Sequence, residues 1–196
     1  MQRRNFMLKS AAALAVGGLA LAGCTTTGEQ HSATNETNTS KRQSINSNVD
    51  TTMSRLYTTV NGSRELVAKA RGVLVFPSVY QAGLIVGAQY GEGSLRVGGS
   101  TVGYYSTASG SFGFQAGAQS KAIIFLFMTQ DALDKFRNSD GWAVGGDASV
   151  AVVKMGANGA VDTTTATAPV EVFVMTNAGL MGDLSLTGTK VTRLNI

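Results

Sequence analysis

Apolar and polar positions divide the chain into stretches of different texture. Residues 11–22 are wholly apolar or glycine and follow a basic stretch with Arg3, Arg4 and Lys9. Residues 25–47 are almost free of apolar side chains and rich in Thr, Ser, Asn, Gln and Glu. Such a stretch cannot bury enough surface to offset its ordering entropy, so disorder is expected there. A helical period then begins. Val49, Met53, Leu56, Tyr57 and Val60 recur at i, i+4, i+7, i+8 and i+11, one stripe of an amphipathic helix. Asn61-Gly62 suits the left-handed end of that helix. Ser63 is placed to cap a second short helix, with Leu66, Val67 and Ala70 inward and Arg64, Lys69 and Arg71 outward.

After Gly72 the texture becomes strand-like. Strands are predicted at 72–76, stopped by Pro77, and at 82–90, 95–97, 101–107, 112–118 and 122–128. Thr129 caps a further helix over 130–138, with Leu133 and Phe136 inward and Asp131 near its N-terminus. More strands follow at 148–155, 159–165, 170–176, 181–186 and 191–194, and the run Val150-Ala151-Val152-Val153 suggests a strand covered on both faces. Of 24 glycines, 20 lie between Gly62 and Gly188, a density that signals bulges, sharp bends and close backbone approach. The pattern predicts an α+β fold. Its sheet is strongly curved, partly closed (barrel-like), mainly antiparallel and glycine-rich, with N-terminal helices and one further helix packed on or inside it.

The N-terminal texture changes the reading of the whole chain. A basic segment, a short apolar segment and small residues at a cut define a secretory signal. The apolar part is shorter than the roughly 20 residues of a spanning helix. Leu21-Ala22-Gly23-Cys24 resembles the bacterial lipobox, in which the cysteine is lipidated, and Cys24 is the single cysteine. The expected organisation is therefore a removable signal at 1–23, a lipidated disordered tether at 24–47 and one folded domain at 48–196. Arg3-Arg4-Asn5-Phe6-Met7 fits either a twin-arginine export motif or a plain basic segment. Thr25 stands where an aspartate usually retains lipoproteins in the inner membrane, which favours an outer-membrane anchor facing the periplasm.

Charge then loses its apparent meaning. Of 16 basic residues three lie in the signal, leaving 13 against 12 acids, so the precursor's +4 falls to about +1 and gives no argument for nucleic acid. With Cys24 lipidated, neither an intramolecular disulfide nor a cysteine metal site is expected. His31, the one histidine, falls in the tether, away from any histidine-dependent catalytic or metal site in the domain. The stretch from Gly113 to Lys121 superficially resembles a phosphate loop, but its spacing is wrong and no Ser or Thr follows Lys121. Asp131, Asp134, Asp140 and Asp147 read as a solvated helix face and turn residues. No enzyme, cofactor or metal is expected.

Several co-linear motifs carry a family resemblance. They are Lys69-Ala70-Arg71-Gly72-Val73-Leu74-Val75-Phe76-Pro77, Gly87-Ala88-Gln89-Tyr90-Gly91-Glu92-Gly93, Gly103-Tyr104-Tyr105, Gly117-Ala118-Gln119-Ser120-Lys121, Ser139-Asp140-Gly141-Trp142 and Gly188-Thr189-Lys190. Together, over about 49–194, they resemble the SYLF domain of the Las17-binding actin regulators. The resemblance implies phospholipid binding through an N-terminal amphipathic helix and basic residues, and actin binding in some fungal members. A bacterial envelope offers no actin, so lipid is the expected partner. The candidate lipid-binding residues are Arg55, Arg64, Lys69 and Arg71; the competing reading is a helical hairpin whose charges are merely solvated. An envelope protein-interaction or structural lipoprotein is the alternative function.

Cys24→Ser should abolish acylation, because the described sequence offers no second thiol. Metabolic labelling with a fatty-acid probe checks this, and label retained by the variant would contradict it.

Overall fold

Ile45, Val49, Met53, Leu56 and Val60 are buried along one side of α1 (Glu29–Thr59), so the expected stripe exists and extends one turn further back. The structure, a computed structural model, describes residues 29–83, 86–112, 119–154, 160–161, 168–176, 179–181 and 186–196. Within that range the disorder expected up to residue 47 is corrected, because residues 29–47 continue the helix. Composition missed the contacts that hold this part. Lys41 Nζ lies 2.8 Å from Glu92 Oε1, and Asn46 Nδ2 donates to the Tyr104 hydroxyl at 2.9 Å. Thr101 Oγ1 donates to Asn46 Oδ1 at 3.1 Å.

Gly62, at φ 83°, turns the chain into α2 (Ser63–Lys69). Ser63 does not cap α2 as expected: its side chain is buried, and its hydroxyl donates back to the Leu56 carbonyl at 3.3 Å. The hydroxyl thus ties the two helices together instead of satisfying the second one's N-terminus.

Strands β1 (Gly72–Gly83), β2 (Val86–Val97), β3 (Ser100–Phe112) and β4 (Gln119–Phe127) follow, then α3 (Gln130–Asn138). After α3 come β5 (Trp142–Ala143), β6 (Val150–Val152), β7 (Val170–Thr176), β8 (Gly179–Leu180) and β9 (Lys190–Leu194). They form one curled half-barrel sheet in the order β5-β9-β3-β2-β1-β4-β7-β6, with β8 paired to β7. All pairings between these strands are antiparallel except β6 with β7. The expected stop at Pro77 is replaced by a bulge: β1 continues, but two residues oppose one on each neighbour, between Val75 and Ser78 against β2 and between Phe76 and Val79 against β4. Proline has no N–H for a ladder, and a bulge needs none. The extra residue also shifts parity. Leu74 and Phe76 face one core before it and Val79 faces the same core after it. Gly93 sits opposite, where a Cβ would collide with the Val75 carbonyl.

The sheet is covered on both faces. α1 and α2 pack on Val75, Ile124, Leu126, Phe173 and Met175. The other face carries Leu74, Phe76, Phe125, Phe127, Val172 and Val174 beneath α3 and Trp142. β6, expected to be buried on both faces, is instead half-buried at the end of the strand path. α3 matches its expected bounds, with the Thr129 hydroxyl accepting from the Ala132 N–H at 3.2 Å. The expected strand at 159–165 falls mostly outside the described residues, as do parts of those at 112–118 and 181–186. The described elements and both cores lie within residues 29–196.

Trp142 is 1% exposed and meets Phe125, Phe127 and Phe136 edge to face at 5.6, 6.0 and 5.5 Å. Trp142→Ala should cost about 3–5 kcal/mol by removing this hub. Chemical denaturation checks it; an unchanged midpoint would contradict the packing described.

Candidate functional site

α1 crosses the even-numbered side chains of β2, and its last turns meet α2 and the start of β1. Between them lies a cleft of about 430 Å³. Asp50, Met53 and Tyr57 from α1, Ala68 from α2, Ala70 just after it, and Arg71 and Arg96 from the sheet side line it. Gly98 and Gly99, both at positive φ (59° and 84°), form the tight β2–β3 turn at its edge. Two consecutive left-handed residues are what a two-residue hairpin needs, and glycine supplies them without strain.

The cleft is basic and aromatic. Arg71 is fixed beside β4 by its backbone N–H, which donates to the Phe127 carbonyl at 2.8 Å, while the residue itself is exposed. The Arg64 guanidinium stacks 4.3 Å above the Tyr57 ring. Burial pushes the Tyr57 phenol up, against the opposing pull of the Arg64 and Arg96 charges. Arg96 Nη1 donates to Asp50 Oδ1 at 2.7 Å, and Arg96 Nη2 reaches the Asn46 carbonyl at 3.5 Å. Arg96 Nε is buried without a partner among the described residues.

The four basic residues expected from sequence divide. Arg71 lines the cleft, Arg64 covers one of its walls, and Lys69 is exposed in the last turn of α2 beside it. Arg55 does not belong. It lies two residues before Tyr57, roughly 200° around the helix at ~100° per residue, and is half-buried on another flank. Arg96 and Asp50 were missed, because nothing in either local pattern says that α1 lies over β2. Cys24 lies outside the described residues.

A second groove, of about 360 Å³, lies nearer the start of α1 between Lys41, Ile45, Pro77, Tyr80, Tyr90 and Glu92. Tyr80 and Tyr90 are directly opposite across β1 and β2, at 62% and 50% exposure. Burial opposes the charge on Glu92, but hydrogen bonds from Lys41 and Tyr90 outweigh it and hold the carboxyl below its usual range. The Tyr90 phenol is pushed up to about 12 by burial and by the Glu92 carboxylate it donates to.

Four acids elsewhere have structural partners. Asp131 pairs with Lys135 at 2.9 Å, Asp134 accepts from Gln130, and Asp147 accepts from the Ala143 N–H at 2.6 Å. Glu171, buried near the start of β7, accepts from the Ala168 N–H, and burial raises its carboxyl. Among the described residues no three His, Cys, Asp or Glu side chains gather to hold a metal ion. Lys121 lies within strand β4, paired with Val79, and not at the start of a helix as a phosphate loop requires.

No curated protein matches the chain. Residues 108–195 match the family model Ysc84, described as Las17-binding protein actin regulator. The matched stretch runs from β3 through α3 and Trp142 to β9. The motifs at 69–77 and 87–93 precede it, on β1 and β2 of the same sheet. The match covers less than half of the chain and is to the family that the sequence motifs resemble.

Proposed function

We propose that the chain is a non-enzymatic envelope lipoprotein whose SYLF domain binds anionic phospholipid headgroups at the cleft between α1 and α2. The observation that carries this reading is the cleft at the junction of α1, α2 and β1, which Arg71 lines and whose Tyr57 wall Arg64 covers, with Lys69 exposed in the adjoining last turn of α2. At a net charge near +1 after signal removal, the protein has no global field to draw on, so attraction must be local. Each basic residue near a charged surface contributes about 1 kcal/mol, and less as salt rises. Three on one patch give weak binding, which the lipids on Cys24 would raise by holding the domain at high local concentration. In this reading the anchor sits in the outer membrane and faces the periplasm.

Geometry constrains how anchor and cleft reach one bilayer. Asp50 and Tyr57 lie roughly 30–40 Å along α1 from Glu29 at 1.5 Å per residue. Residues 24–28 can span at most ~18 Å. A lipid on Cys24 and a headgroup in the cleft therefore meet the same leaflet only if α1 lies along the surface. Among the described residues no helix is long and apolar enough to cross a membrane.

A second reading, docking of an envelope protein, has its own observation in the exposed Tyr80–Tyr90 pair on the sheet. Vesicle flotation of residues 29–196 separates the two. The triple change Arg64→Gln, Lys69→Gln, Arg71→Gln should lose flotation with anionic vesicles between roughly 50 and 200 mM salt. Arg55→Gln, on another flank, should float as wild type does. A triple variant with an unchanged thermal midpoint that floats as well as wild type would contradict the headgroup reading, and protein docking would then lead.

A further inference from the structure

We infer that the cleft contains an inner anion subsite, built by Arg71 and Arg96, which Asp50 occupies in the resting protein and a phosphate monoester displaces. This rests on the headgroup reading and adds a selectivity to it. Both guanidinium-bearing residues line the cleft, and so does Asp50. The two members of the ion pair are held very differently. The Arg96 side chain is 20% exposed and that of Asp50 is 66% exposed, so the cation is built into the floor and the carboxylate faces solvent. The pair opens from the Asp50 side.

The resting contact leaves the cation short of acceptors. Asp50 takes one N–H of Arg96 at 2.7 Å, the Asn46 carbonyl takes a second at the long distance of 3.5 Å, and Nε has no partner among the described residues. A guanidinium presents five donors in a planar fork suited to two-point recognition of phosphate. A phosphate monoester brings three acceptor oxygens and a charge of about −1.5 to −2 at neutral pH. It can use donors that a single-point carboxylate leaves idle, and Arg71 offers it a second cation. A diester monoanion has fewer free oxygens and about half the charge, so it stays at the outer cations and leaves Asp50 in place.

The surroundings fit entry of a headgroup. Around Gly98 and Gly99 a Cβ would meet nothing within 4 Å, so the turn leaves the edge open. At about 430 Å³ the cleft is at the low end for small-molecule sites and takes a headgroup, leaving acyl chains outside. Asp50 supplies its own competition. Such an exposed pair holds its partner by no more than about a fivefold factor, cheap enough for a dianion to break.

The test compares residues 29–196 as wild type, Asp50→Asn and Arg96→Gln. Each is floated on phosphatidylcholine vesicles doped with phosphatidic acid, a monoester, or with the same fraction of phosphatidylglycerol, a diester. Inorganic phosphate is titrated separately by calorimetry. Wild type should prefer phosphatidic acid several-fold. Asp50→Asn should raise that ratio by up to about fivefold, a gain that misfolding cannot produce. Arg96→Gln should bring the ratio towards one while flotation through Arg64 and Lys69 persists. If wild type floats on both vesicles but Asp50→Asn leaves the ratio unchanged, the subsite is overturned and the headgroup reading survives. If wild type floats on neither, the headgroup reading falls; tighter inorganic phosphate binding by Asp50→Asn would then keep the subsite, with free phosphate as its ligand. No gain from Asp50→Asn in either arm overturns it.

Discussion

Six consecutive residues of β4, from Ala122 to Phe127, are all buried. Strand side chains alternate between faces, so such a run requires cover on both sides of the sheet. The rest of the architecture answers that demand. Phe125 and Phe127 turn to Trp142 and α3, while Ile124 and Leu126 turn to α1 and α2. β7, paired with β4, repeats the pattern from Val170 to Met175. Full burial of one large apolar side chain is worth about 1.5–3 kcal/mol, so losing either cover would expose several such groups at once. The helices at the N-terminus are thus one wall of the fold, and a cleft between them inherits its rigidity.

That dependence explains which features could be read from sequence. The stripe from Val49 to Val60 and the helix from Gln130 to Asn138 show their period directly, and Trp142 stands out as a single large aromatic beside a turn. Ile45 was lost because it is one apolar residue in a polar stretch. What orders its neighbours is a set of polar contacts to β2 and β3, from Lys41 and Asn46, that composition does not register. Pro77 looked like an end and is a bulge, because the same residue serves either purpose and only the neighbouring strands decide. The cleft was half legible for the same reason. Arg64, Lys69 and Arg71 are local to one short helix and its exit, whereas Asp50 and Arg96 meet only when α1 crosses β2.

The second groove shows what distinguishes a charged site from a satisfied one. At Glu92, Lys41 and Tyr90 both point to the same carboxylate, so that cluster is closed by its own members. At Arg96 the donors outnumber the acceptors, and the excess lies in a cleft. This imbalance, more than net charge, is why the α1–α2 cleft and not the tyrosine groove is read as the site for an anion.

Hydrogen–deuterium exchange of residues 29–196, with and without anionic vesicles, tests the central claim most directly because it reports place as well as binding. The account predicts slowed exchange over 50–73 and around the Gly98–Gly99 turn, with 78–92 unaffected. Protection confined to 78–92, around Tyr80 and Tyr90, would contradict it.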